Sequence, residues 1–149
     1  MLPGKGRLFM NRIVICGSGK LREEIFLAGQ RLSDAGLQVM VPPLHRIEEL
    51  VAGRPPECRE LAWKGATFAH FNRIDKCDIV FIVNPNGYIG PSTTLELGYA
   101  VARHAYIVAM MPDETEVART VLLDRVLNTT DVEEACKKLT GMVKGAVVA

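Results

Sequence analysis

The stretch from Asp78 to Arg103 constrains the fold of this 149-residue chain more than any other part of its sequence. It opens with an almost unbroken apolar run, Asp78–Val83 (DIVFIV), which predicts a strand buried on both faces. Asn84–Gly87 (NPNG) ends the strand, and Gly90-Pro91 keeps the following loop open. From Thr93 the pattern becomes helical. This order of strand, glycine-bearing loop and helix is typical of parallel sheets, whose ligands bind beyond the carboxyl ends of the strands.

The rest of the chain alternates strands and helices in the same way. The predicted strands are Arg12–Cys16, Leu37–Val41, Asp78–Val83, Ala105–Met110 and Arg125–Asn128. The predicted helices are Leu21–Leu32 with a C-cap at Gly36, a turn at Ile47–Val51, Glu57–Lys76, a helix from Thr93, a short helix from Pro112, and a terminal helix through Leu139 that opens with the capping-box sequence Thr130–Glu133.

This alternation predicts one α/β domain over residues 1–149, with residues 1–11 as an irregular arm. Strands joined by right-handed helical crossovers form a parallel sheet with helices on both faces. We therefore expect a flavodoxin-like or Rossmann-like three-layer sandwich with five parallel strands in the order 2-1-3-4-5. In that order the first and third strands are neighbours, so the loops that follow them meet.

The composition excludes several classes of protein. With 48% hydrophobic and 23% charged residues, the chain is an ordinary globular sequence, and its net charge of +1 favours neither nucleic acid nor a membrane surface as a partner. No apolar run approaches the length of a membrane span, and the N-terminus lacks the apolar core of a signal peptide. We expect a cytoplasmic protein with reduced thiols.

The cysteines and histidines are scattered along the chain. Four cysteines form no C-x-x-C pair, and the three histidines are equally dispersed. This spacing predicts no zinc site and gives no sign of another metal or cofactor.

Glu96 is the one acidic residue between Asp78 and Arg103, and the pattern places it in the first turn of the predicted helix. A lone carboxylate beside a ligand-binding loop is the strongest candidate for chemistry in the sequence. A structural interpretation stands beside it. Thr93–Glu96 fits the capping box, in which the glutamate reaches back to the helix N-terminus.

The run Ser92–Ala100 (STTLELGYA) resembles the signature of the nucleoside 2-deoxyribosyltransferase family, T-x-x-E-[IL]-G-[YF]-A after a small-residue loop. That family includes deoxynucleoside-monophosphate N-glycosidases. The resemblance extends from about Arg12 to Met110, and its specific parts are Cys16–Ser18 and Asp78–Ala100. It implies the same strand order, a homo-oligomer, and Glu96 as the nucleophile that attacks the anomeric carbon of the sugar.

The segment Cys16–Lys20 (CGSGK) connects a strand to a helix, where amides and the helix dipole can hold an anion. Lys20 and Arg22 are unfavourable at that positive end unless a bound phosphate, or Glu23 and Glu24, neutralises them. The related monophosphate glycosidases have a similar loop that contacts substrate phosphate. The predicted substrate- and phosphate-binding residues are Cys16, Gly17, Ser18, Gly19, Lys20, Asn84, Gly90, Ser92 and Thr93.

The chain departs from the family pattern at three positions. His70 stands where relatives have an aspartate that helps protonate the leaving base or orient the sugar; a histidine can be a general acid near neutral pH, or simply structural. Gly90 replaces a frequent aspartate or serine. Val14 replaces an aromatic residue, a loss for which Tyr88 is a possible substitute.

The other aromatic residues of note, Trp63, Phe71 and Tyr99, are interpreted as core or subunit contacts.

These features predict cleavage or transfer of the N-glycosidic bond of a nucleoside or nucleoside 5′-monophosphate, with Glu96 and His70 as catalytic residues and no cofactor. One alternative is a non-catalytic nucleotide-binding or sensing module on the same fold, which the missing acidic residues favour. Another is a phosphoribohydrolase of the cytokinin-activating type, often labelled lysine decarboxylase. Its P-G-G-x-G-T-x-x-E signature is echoed by Pro85–Glu96, although the spacing differs.

Overall fold

The computed structural model describes residues 10–42 and 47–148, with side chains up to residue 145. Five strands form one parallel sheet in the order β2-β1-β3-β4-β5, which confirms the predicted α/β fold and strand order. The strands are β1 Arg12–Cys16, β2 Gln38–Met40, β3 Ile79–Ile82, β4 Tyr106–Ala109 and β5 Arg125–Val126. Most of the predicted N-terminal arm, residues 1–9, lies outside the described residues.

Six α-helices connect and follow the strands in the described part of the chain. They are α1 Arg22–Asp34, preceded by a 3₁₀ turn at Gly19–Leu21, then α2 Ile47–Leu50, α3 Pro56–Asp75, α4 Pro91–Ala102, α5 Val117–Thr120 and α6 Val132–Val148. Within the described ranges, no helix combines the length and apolar character needed to cross a membrane.

Three predicted helix boundaries are wrong. The terminal helix continues past Leu139 to Val148, and the Asp131 side chain, not that of Thr130, accepts a hydrogen bond from the first-turn amide of Glu134 at 3.1 Å. The short helix begins at Val117 instead of Pro112, because the Asp113 carboxylate holds the amides of Thr115 and Glu116 in a turn. The third is the start of α4, described with the site below.

The sheet separates two apolar cores by the alternation of its strands. Ile13, Ile15 and Phe81 point to one face, where they pack with α1 and α6. Val14, Cys16 and Ile82 point to the other face, together with Ile74 of α3 and with Leu97 and Ala100 of α4. The core residues of β1 and β3 are almost completely buried, as the unbroken apolar run predicts.

The chain leaves β1 and β3 towards opposite faces of the sheet. After β1 it enters α1, which packs on the first core, and after β3 it enters α4, which packs on the second. Since β1 and β3 are paired neighbours, the position beyond their carboxyl ends is the one where open parallel sheets bind ligands, and we call it the β1–β3 crevice. The two segments predicted to converge there are Gly17-Ser18, directly after β1, and Gly90–Glu96, which comprises the N-cap and first turns of α4.

Asn84 fixes the end of β3 to the chain that follows β4. Its side chain is fully buried, and its Oδ1 accepts hydrogen bonds from the amides of Met110 at 3.0 Å and Met111 at 3.2 Å. Its Nδ2 donates to the carbonyl oxygen of Met111 at 2.8 Å. The amide group predicted to bind substrate is therefore largely engaged by backbone.

We expect Asn84→Ala to lower the free energy of unfolding by about 2 kcal/mol, because it removes the side-chain partners of the amide and carbonyl groups of Met111 and one of the two acceptors of the Met110 amide. Asn72→Ala, at an exposed position of α3, is the matched control and should stay within about 0.5 kcal/mol of wild type. Urea unfolding followed by circular dichroism measures both. Equal stability of the two variants would contradict the structural role of Asn84.

Candidate functional site

Three polar side chains from distant parts of the sequence meet at the carboxyl end of the sheet. The Sγ of Cys16 lies 3.3 Å from Nε2 of His70, and that nitrogen lies 3.7 Å from Oε2 of Glu96. Cys16 and His70 are buried, and the Glu96 side chain retains 17% of its exposure. We call Cys16, His70 and Glu96 the polar cluster. It contains both residues predicted to be catalytic.

Each member reaches the cluster through the periodicity of its own element. Cys16 is the last residue of β1 and points to the second core, like Val14 two residues earlier. His70 lies one helical turn before Ile74, and these two are the buried residues of α3. Glu96 lies on the inner face of α4, which carries Thr93, Leu97 and Ala100 as its buried residues.

The capping-box interpretation of Glu96 is wrong. The N-cap of α4 is Gly90 and the first helical residue is Pro91, so Glu96 lies in the second turn and is not an acidic residue of the first. A proline at the first helical position needs no hydrogen-bond partner for its nitrogen and has the φ angle that the helix requires. Glu96 therefore has no role in capping, and its carboxyl group points inwards.

Burial dominates the electrostatics of Glu96. Desolvation raises the pKa of Glu96 to about 7, and a hydrogen bond with Cys16 opposes this shift. The Oε2 atom is buried and has no hydrogen-bond partner within the described residues. A buried carboxyl oxygen without a donor, at the carboxyl end of the sheet, is available to a ligand or a reacting atom.

Burial has the opposite effect on His70. Desolvation, followed by the charge of Arg73, lowers the pKa of His70 to about 4. The imidazole is therefore neutral near pH 7, which does not favour the predicted role as general acid. Its Nδ1 atom is buried and has no partner among the described groups. Burial first, and then the charge of Glu96, raises the pKa of the Cys16 thiol well above its ordinary value.

The predicted phosphate loop lies next to the cluster. The amide of Lys20 donates to the Oγ of Ser18 at 3.3 Å, so Ser18 caps the 3₁₀ turn. Gly17 allows close approach of the chains, because a Cβ there would lie 3.0 Å from the carbonyl oxygen of Val83. Gly19 and Lys20 are exposed, and the Lys20 Nζ lies 5.9 Å from the centre of the Tyr88 ring. This contact joins the loops after β1 and β3.

The structure explains the glycine at position 90. A Cβ there would lie 3.2 Å from the ring and hydroxyl of Tyr88, so the loop tyrosine occupies the space that a side chain would need. Tyr88 packs on the buried Gly90 backbone and is itself 41% exposed. Gly90 therefore contributes no polar side chain to the site, and its backbone is a surface on which the Tyr88 ring packs.

A second polar network was missed by the sequence analysis. Thr94 donates through Oγ1 to the carbonyl oxygen of Gly90 at 2.8 Å, and its Oγ1 accepts from Nε of Arg119 at 2.9 Å. Arg119 also contacts the buried carboxylate of Asp113 at 3.2 Å. The side chains of Ser92 and Thr93 are exposed and buried respectively. No local sequence signal connects Arg119 with Thr94, because α5 reaches α4 only through the fold.

The aromatic residues divide between two environments. Phe71 and Tyr99 stack with ring centres 4.3 Å apart at the junction of α3 and α4. Trp63 is 39% exposed, and its indole nitrogen donates to Glu48 at 3.2 Å, so its assignment to the core is wrong.

Three potential metal ligands that are widely spaced in the sequence lie close together in the fold. The potential ligand atoms of Cys16, His70 and Glu96 all lie within 4.8 Å of one another. The sequence separations of 54 and 26 residues between them conceal this, because β1, α3 and α4 are joined only by sheet and helix packing.

We expect the stability difference between Glu96→Gln and wild type to depend on pH. The folded-state pKa of Glu96 is about 7 against an ordinary 4.5, so the contribution of Glu96 to the free energy of unfolding falls by up to about 3 kcal/mol as the pH rises through this window. Glu96→Gln should lack this loss. The stability of the variant relative to wild type should therefore increase between pH 4 and pH 8. Thermal unfolding with EDTA present measures both. A difference independent of pH would contradict the raised pKa.

The comparisons with known proteins support the fold. No protein-family model matches the chain, and no curated protein matches it significantly by sequence. The structure is similar to that of the Clostridium botulinum CMP N-glycosidase BcmB, with a TM-score of 0.52, 15% sequence identity, and coverage of 86% of this chain and 97% of that one. It also matches a conserved protein from Enterococcus faecalis V583, with a TM-score of 0.48, 18% identity, and coverage of 91% and 98%.

Proposed function

We propose that the protein cleaves the N-glycosidic bond of a nucleoside 5′-monophosphate and that Glu96 is its nucleophile. The observation that carries the proposal is the Glu96 carboxyl group, with its unpartnered Oε2, at the carboxyl end of the sheet beside the β1–β3 crevice. The fold likeness to a CMP N-glycosidase and the resemblance of Ser92–Ala100 to the deoxyribosyltransferase signature support it.

In the proposed reaction an ionised Glu96 oxygen attacks the anomeric carbon of the sugar. The bond from that carbon to the base nitrogen breaks, its electron pair leaves with the base, and the base takes up a proton. Water, or a second base in a transfer reaction, then attacks the same carbon and releases Glu96. This is the two-step logic of retaining glycosidases. With a pKa of about 7, Glu96 is partly ionised at neutral pH.

His70 has a positioning role in this proposal. Its neutral imidazole lies 3.7 Å from Glu96 and fills the space behind the carboxyl group without adding a fixed positive charge. A positive charge there would stabilise the carboxylate and weaken it as a nucleophile. The proton for the leaving base then comes from water or from another group close to the base.

The loop after β1 is the proposed phosphate site. Lys20 and Arg22 are exposed at the N-terminal end of the 3₁₀ turn and α1, where cations are unfavourable without an anion. Within the described residues, neither forms an ion pair with Glu23 or Glu24, the groups that could replace a phosphate.

The proposal includes a homo-oligomer. Leu61 and Phe68 of α3 and Leu95 of α4 are more than half exposed, which is unusual for large apolar side chains beside a buried polar site. A second copy of the chain packed on these helices would cover them.

We expect Glu96→Gln to reduce base release by at least about 10³-fold, because the isosteric amide cannot attack the anomeric carbon. The test is a chromatographic assay for free base over a panel of nucleosides and 5′-monophosphates. Glu57→Gln, an exposed glutamate in the first turn of α3, is the matched control and should keep wild-type turnover. Undiminished turnover of Glu96→Gln would refute the nucleophile assignment, and binding without base release in wild type would identify a nucleotide-binding module.

We expect a 5′-monophosphate to bind about 10- to 100-fold more tightly than the matching nucleoside, as one or more charge-assisted hydrogen bonds would provide. Ser18→Ala and Lys20→Gln should each reduce that preference without changing nucleoside affinity. Lys64→Gln, an exposed lysine of α3, is the control. Calorimetric titration with both ligands measures the preference. Equal affinities in wild type would remove the phosphate site, and a preference unchanged in both variants would move it away from this loop.

A further inference from the structure

The polar cluster has the composition and spacing of a three-ligand metal site. The Sγ of Cys16 and the Nε2 of His70 are 3.3 Å apart, Nε2 and the Oε2 of Glu96 are 3.7 Å apart, and all potential ligand atoms lie within 4.8 Å of one another. Tetrahedral zinc with bonds of about 2.3 Å to sulfur and about 2.0 Å to nitrogen and oxygen holds neighbouring ligand atoms about 3.3–3.6 Å apart. Small side-chain shifts would therefore satisfy a bound ion.

We propose that Cys16, His70 and Glu96 bind one zinc ion with the fourth coordination position open towards the crevice. Nothing in the proposal depends on the glycosidase chemistry, and it assigns the cluster a ligand that the glycosidase mechanism does not use.

Charge balance favours this ion. When they bind as thiolate and carboxylate, Cys16 and Glu96 carry two negative charges, which neutralise the two positive charges of Zn²⁺. A buried site of low polarity requires such a balance. Binding displaces the thiol proton and any proton on Glu96, which are released to solvent. A sulfur and an imidazole ligand favour zinc over magnesium or calcium, whose preferred ligands are oxygen atoms.

The unpartnered atoms of the cluster have a natural explanation in such a site. Oε2 of Glu96 is buried without a hydrogen-bond partner in the described structure, and a metal bond would satisfy it. The ion can enter beside Glu96, the most exposed member of the cluster.

The site is expected to be exchangeable. Nδ1 of His70, which in tightly held metal sites donates to an outer partner, has none among the described residues. Loss of such a partner typically weakens metal binding by about 10- to 100-fold. EDTA should therefore remove the ion without unfolding the protein. Zinc bound to Glu96 would also block its attack on a sugar, so zinc would inhibit base release if the proposed function is correct.

The test is direct metal binding to the EDTA-treated, reduced and re-purified protein. We expect calorimetry to show one Zn²⁺ per chain, and Co²⁺ in its place to give visible d–d bands with a near-ultraviolet thiolate charge-transfer band. Cys16→Ser should abolish the charge-transfer band, and His70→Gln and Glu96→Gln should each weaken binding by about 100-fold or more. Cys136→Ser, a buried cysteine on the opposite face of the sheet, is the matched control and should bind as wild type does.

Failure of wild type to bind Zn²⁺ or Co²⁺ would overturn the proposal, as would a charge-transfer band that survives in Cys16→Ser. Circular dichroism checks the fold of each variant. If Cys16→Ser does not fold, the isosteric Glu96→Gln decides, and unchanged affinity in that variant would refute the site. These readouts are independent of turnover, so a protein that binds zinc but whose EDTA-treated, zinc-free form releases no base would refute the glycosidase proposal alone.

Discussion

The pairing of β1 with β3 is the constraint on which the rest of this structure depends. The two strands are separated by more than 60 residues, yet they lie side by side in register, with Ile13 opposite Ile79 and Cys16 opposite Ile82. Their residues are buried on both faces, so the sheet can gain that burial only if helices cover each side. Because α1 and α4 then leave towards opposite faces, the crevice at the carboxyl ends follows from the pairing itself.

Desolvation is the second constraint, and it governs the polar cluster. Placing a thiol, an imidazole and a carboxyl group together away from water favours the neutral form of each, which raises the pKa of Cys16 and Glu96 and lowers that of His70. A buried oxygen without a hydrogen-bond partner destabilises the fold. Proteins keep such a group where function requires it. The same environment suits a nucleophile that must not be solvated and a metal ion that needs its ligands bare.

Two loop residues that were predicted to bind substrate have structural roles. Gly90 is compatible with the fold because the Tyr88 ring covers it, and Asn84 holds the backbone after β4. The surroundings of Glu96 consist of a thiol and a neutral imidazole, and the ring of Tyr88 covers Gly90, the N-cap of the same helix.

The sequence by itself determined the elements and their order, because apolar periodicity and glycine-bearing breaks are local signals that survive without tertiary context. It also located Glu96, His70 and the loop after β1. Only the tertiary structure decided that α4 starts at Gly90-Pro91 and not at Thr93, which turns Glu96 from a cap into an inward-pointing acid. Only the fold could place Cys16 beside His70 and Glu96, because their proximity arises from strand pairing and helix packing between segments that share no local pattern.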